Sequence, residues 1–141
     1  MGSAPAVAVA ALFVWLGMVL AISFIETPLK FRAPGVTLQI GLGIGRLVFR
    51  ALNVGELALA AVVVGSFAFH PPTVGPAAAA AVAVVILLGQ VLAVRPQLTR
   101  RSDVVLAGAQ GPRSHAHWVY VGLETVKLVA LIIAGAWLLA T

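Results

Sequence analysis

The chain has 141 residues, room for one domain, and 62% are hydrophobic against 9% charged. Soluble domains average about 45–50% and 25%, and a fold this small cannot hide so much apolar surface, which points to a bilayer. The absence of cysteine excludes disulfides, thiolate metal sites and cysteine nucleophiles. A net charge of +5 is carried in short loops between apolar runs, not on a basic stripe interleaved with aromatics, so nucleic acid is not an expected partner.

Residues 6–25 form the first expected span, an apolar run long enough to cross about 30 Å of hydrocarbon. It lacks the basic n-region and short apolar core of a signal peptide and is read as a retained span. Glu26-Thr27-Pro28 is expected to close it, because proline disfavours helix at the residue before it. Lys30, Arg32 and Pro34-Gly35 make an interfacial turn. Segment 33–45 is either an interfacial helix or an early extension of the second span. Its Gly41, Gly43 and Gly45 have neither Rossmann nor Walker spacing and suit close helix packing.

The second expected span is 46–69, followed by a Pro-rich turn from His70 to Pro76 that holds no Asp, Glu, Lys or Arg. The third is 77–94, with Gln90 its one strongly polar side chain, read as helix–helix glue, and Arg95-Pro96 at its close. The loop beyond carries Arg100, Arg101, Asp103 and Arg113. Within it Ser102 is a candidate cap for an interfacial segment over 102–109, ended by Gly111-Pro112. The fourth span is 115–140, with Ser114 as its expected N-cap.

These elements predict an all-α integral membrane four-helix bundle, a single transmembrane domain over 1–141. Lys and Arg concentrate in the 26–50 and 95–113 regions, so both should face the cytoplasm, with both termini on the non-cytoplasmic side of the plasma or inner membrane. Pro28 and Pro96 are 68 positions apart, and so are Glu56 and Glu124. That spacing suggests two repeated helical hairpins related by an axis along the membrane normal.

Two polar stripes stand out against the apolar text. Arg46, Arg50, Asn53 and Glu56 share roughly one third of the second helix's circumference at about 100° per residue. His117, Tyr120, Glu124 and Lys127 line one face of the fourth. An ionisable residue at such depth is costly and is a candidate functional group by default. Lys127 is expected to pair with Glu56 or with Glu124, its i, i+3 neighbour. The expected pocket is Arg50, Asn53, Glu56, Tyr120, Glu124 and Lys127, with Glu26, Arg46, Arg95 and His117 on its rim.

No HExxH or GxSxG motif is present, and the histidines are not opposed within the bundle as a haem would need. No metal or cofactor is therefore expected, and an enzymatic role is disfavoured. The leading reading is a transporter, or transport component, for a small ion or anionic solute. Paired glutamates at half-membrane depth suit proton coupling, and the Arg/Lys surplus suits an anion. A non-catalytic subunit of a membrane complex is the first alternative. A lipid-headgroup-binding protein or membrane-embedded enzyme is the second, with Glu124 or His117 as acid–base. Besides the bilayer, the expected partners are a second copy of the chain or another membrane subunit. The apolar outer halves of all four spans argue against a continuous pore.

Overall fold

The computed structural model describes residues 1–107 and 115–141, except the side chains of 115 and 116. Four helices are long and apolar enough to cross a membrane: α1 (Ser3–Lys30), α2 (Leu38–Phe69), α3 (Val74–Leu106) and α4 (His115–Ala140). The described residues contain no strand. Much of the lateral surface is large and apolar, including Val54, Val64, Val85, Leu92, Val129, Ile132 and Leu139. Apolar side chains all round a bundle fit a lipid surround.

Three helices overrun the expected spans, and the prolines explain two of them. Pro28 and Pro96 lack an N–H, and in an α-helix their rings would strike the carbonyl four residues back. The chain meets both with a π-helical turn, Leu20–Glu26 before Pro28 and Gln90–Val94 before Pro96. The wider i→i+5 turn lets the helix continue past each proline. Thr27 N–H and Thr27 Oγ1 both donate to the Ile22 carbonyl, the hydroxyl at 2.9 Å. Arg95 N–H likewise reaches back five residues to Gln90. Pro28 and Pro96 thus re-shape their helices where the sequence suggested that they stop them.

In the third overrun, 38–45 is continuous with the second span in one helix. Thr37 caps α2, its Oγ1 accepting from Ile40 N–H at 3.2 Å, and the helix runs unbroken from Leu38. Ala33 to Val36 closes a β-turn with Pro34 and Gly35 in the middle, and Gly35 has φ of 80°. A left-handed φ after proline is the type II pattern, which favours glycine there. Gly41 then lies under the ring of Phe31, where an added Cβ would overlap the ring.

Ser102 lies inside the α3 extension instead of capping a separate helix. Arg46 on α2 pairs with Asp103 there at 2.7 Å, and Gln39 Nε2 donates to the Val105 carbonyl at 3.3 Å. The expected end of that segment beyond 107, the turn at Gly111-Pro112, Arg113 and the Ser114 cap lie outside the described residues.

The bundle has two ends. One carries Lys30, Arg32, Arg46, Arg50, Arg95, Arg100 and Arg101 and is called the basic end. At the other, Met1 and Thr141 meet His70 to Thr73, the turn between α2 and α3. Helix α1 packs on α2 and on α4, and α3 packs on α4. The core of the terminal half is apolar, with Ala8, Leu12, Val63, Ala80, Ala83, Leu87, Leu131, Ala134 and Leu138 buried together.

Candidate functional site

Polarity enters the bundle core where that apolar layer stops. Glu56 lies thirteen residues before the end of α2 at Phe69, and Lys127 thirteen before the end of α4 at Ala140. Each is therefore about 20 Å from the terminal end along its helix. Both are fully buried, at 0% exposure.

The Lys127 ammonium uses all three of its donors. It meets Glu56 Oε2 at 2.5 Å, Glu124 Oε1 at 2.6 Å and Gln90 Oε1 at 2.8 Å. The carboxylates are held from the other helices as well. Trp15 Nε1 donates to Glu56 Oε2 at 2.7 Å, and Ser23 Oγ donates to Glu124 Oε2 at 2.6 Å. Gln90 Nε2 adds a longer bond to Glu124 Oε1 at 3.4 Å. Every helix thus contributes to one network. A lone charge near the bilayer centre costs about 2.5–3.5 kcal/mol on insertion scales, and here each charge has a partner.

A second layer lies one helical turn nearer the basic end. The Arg95 guanidinium carbon stands 5.0 Å from the centroid of Phe49 and 4.6 Å from that of Tyr120, and the two rings meet edge to face. Such cation–π contacts help to hold a guanidinium in place. Arg95 Nε and Nη2 are nonetheless buried with no hydrogen-bond partner among the described residues. The same holds for Tyr120 Oη, Asn53 Oδ1 and Glu56 Oε1. Buried polar atoms in folded proteins are nearly always satisfied, so four such atoms on three helices, with Glu56 Oε1 one turn away, single out this layer.

The expected pocket residues divide on these coordinates. Glu56, Glu124 and Lys127 come together, and Asn53 and Tyr120 are buried beside them. Lys127 was open to Glu56 or Glu124 and meets both. Arg50 stays outside and is exposed. At about 100° per residue it stands about 120° from Glu56 around α2, wider than the buried face of that helix. Arg46 is exposed and held by Asp103. Glu26 makes a loose ion pair with Lys30 at 3.7 Å. His117 is half-buried and stacks edge-on with Trp118. Of the four expected rim residues, Arg95 is the one that reaches inside. Among the described residues no group of three His, Asp or Glu is placed to hold a metal ion.

Trp15 and Ser23 were missed from sequence, and Gln90 was given a smaller part than it has. A signal existed for each. Trp15 falls on the buried stripe Ala8, Leu12, Trp15, Val19, and a mid-span indole N–H needs an acceptor. Ser23 and Gln90 lie inside the π turns ahead of the two prolines. Such turns are frequent at functional sites. They also explain Arg95. In a regular helix, residues five apart stand about 140° apart, so Gln90 and Arg95 would face different ways. The wider turn brings both inward.

No protein-family model, curated protein or solved structure matches the chain.

Proposed function

We propose that this protein is a small multi-pass carrier, or a carrier's membrane component, that moves a small ion between the basic end and the bundle centre. The observation that carries this reading is the open oxygen of Glu56. Its Oε2 is saturated by Lys127 and Trp15, while its Oε1 is buried and has no hydrogen-bond partner among the described residues. A carboxylate fixed on one oxygen and open on the other is suited to take and release a proton. The apolar core beyond it, from Leu12 to Leu138, supports alternating access over a continuous pore.

In this reading the basic end faces the cytoplasm and both termini lie outside, in the plasma or inner membrane. The two-hairpin repeat is supported by burial. Leu12 and Ala80, Trp15 and Ala83, Val19 and Leu87, Leu52 and Tyr120, Glu56 and Glu124, and Val63 and Leu131 are buried pairs at the same 68-residue offset. The ends of the two π turns, Glu26 and Val94, share the offset too. The repeat would give carrier motion a natural pair of rocking units.

A second reading is the subunit role. An apolar cleft between α2 and α3, lined by Val63, Phe67, Ala80 and Val84, supports a site for another copy or a partner helix.

The test is proton flux. Protein reconstituted in vesicles loaded with a pH-sensitive dye should dissipate an imposed pH gradient when chloride or phosphate is present, with valinomycin and potassium balancing charge. Glu56→Gln should slow that decay about tenfold or more, as expected for loss of an essential acid–base group. Wild-type vesicles that hold the gradient as long as protein-free ones sink the carrier reading and leave the subunit role.

A further inference from the structure

Lys127 is the obvious cation for an anionic ligand, and the geometry removes it from consideration. Its three donors are committed to Glu56, Glu124 and Gln90. Arg95 differs. Nε and Nη2 share one edge of the guanidinium, the edge that grips a carboxylate or phosphate with two parallel hydrogen bonds. Both atoms are buried without a hydrogen-bond partner among the described residues, and the cation–π contacts with Phe49 and Tyr120 help to hold the guanidinium in place. Tyr120 Oη is buried too, on a residue only 7% exposed, and makes no close hydrogen bond among the described residues, its nearest carboxylate being Glu124.

We propose that Arg95 and Tyr120 form a binding site for a small oxyanion, a carboxylate or phosphate group, reached from the basic end. Arg95 supplies the bidentate edge and Tyr120 one additional hydrogen bond. Arg95 as a whole residue is half-buried. Asn53 is buried on α2, but its unpartnered atom is Oδ1, an acceptor, so it adds no donor to the site. The site deepens the carrier reading, on which it rests for the direction of access. It places an anion one turn from the Glu56 oxygen that would carry the accompanying proton. The oxyanion has two natural sources, a soluble anion or a lipid headgroup.

Tyr120 is the sole tyrosine of the chain, so 3-fluorotyrosine labelling gives a single fluorine NMR resonance at the site. In nanodiscs of zwitterionic lipid, that resonance should move saturably with inorganic phosphate or acetate and stay still with chloride at equal ionic strength. Nanodiscs containing phosphatidylglycerol, without soluble oxyanion, form the lipid arm. A shift in that arm alone assigns the site to a headgroup. Arg95→Gln should abolish the response. Arg95→Lys keeps the charge but loses the fork and should weaken apparent affinity about tenfold or more. Helicity by circular dichroism and monodispersity verify that each variant is folded. Should Arg95→Gln fail to fold, Arg95→Lys carries the comparison. An unmoved resonance in all three arms, or an equal response without the Arg95 fork, overturns the site. A response without proton flux would leave the site standing and remove the carrier reading. Flux without a response would do the reverse.

Discussion

The terminal half of the bundle and the basic half use the same four helices and pack them by different chemistry. Toward the termini the contacts are Ala, Val and Leu, with Ser66 folded back on its own Val62 carbonyl. From Glu56 to the basic end the core is a wired network of charges, amides and rings. In lipid, apolar helices gain little from burial against one another, since the tails are as apolar as leucine. Packing alone holds the terminal half. The basic half is held by bonds whose loss leaves a charge in a dry place. The same helices should therefore tolerate damage at one end far better than at the other.

The largest expected effect comes from Lys127→Met. It leaves two buried carboxylates without their shared cation, and breaking a buried pair in this way costs about 3–5 kcal/mol. The measurement is the loss of helical circular dichroism on titration of detergent-solubilised protein with sodium dodecyl sulfate. Glu56→Gln combined with Lys127→Met should recover part of that loss, because one of the stranded charges is gone. Strictly additive losses in this double-mutant cycle would show that the two residues are not coupled.

The matching test in the terminal half is Leu131→Ala. Leu131 is fully buried in the apolar core. In a soluble core a Leu→Ala change costs about 2.7–5.0 kcal/mol, as a transfer term plus a cavity term. Between lipid-bathed helices the transfer term largely vanishes, so the same titration should report about 1–2 kcal/mol. A loss equal to that of Lys127→Met would erase the distinction between the two halves.

How far this division was legible in the sequence depends on the helix. On α2 and α4 the polar side chains sit at spacings of three and four, and simple projection found Glu56, Glu124, Lys127, Asn53 and Tyr120. Projection also swept in Arg50, because a stripe covering a third of a helix is wider than the face this bundle buries. On α1 and α3 it failed for a physical reason. The π turns before Pro28 and Pro96 change the angle per residue, so Ser23, Gln90 and Arg95 cannot be placed by a constant 100° step. The four-span architecture was plain from hydropathy, whereas the helix ends were not. Reading proline as a stop missed the second way a helix can accommodate it.

The smallest expected effect belongs to Arg50, and it tests that correction. Arg50 and Arg95 are both arginines near the basic end, yet Arg95 lies against the rings of Phe49 and Tyr120 and Arg50 lies on the outer surface of α2. Along the helix Arg50 is six residues, about 9 Å, nearer the basic end than Glu56. At that depth a long side chain on the lipid face carries its charge to the headgroups while its stem lies along apolar surface. Removing it strands no partner and opens no cavity. Arg50→Ala should therefore change unfolding stability by no more than about 0.5 kcal/mol, the range of surface substitutions away from special features. It should also leave the fluorine response of Tyr120 unchanged. A loss of a size expected for a buried ion pair would mean that Arg50 is enclosed in the working protein. The outer face of α2 would then be an interface with another chain, in favour of the subunit reading.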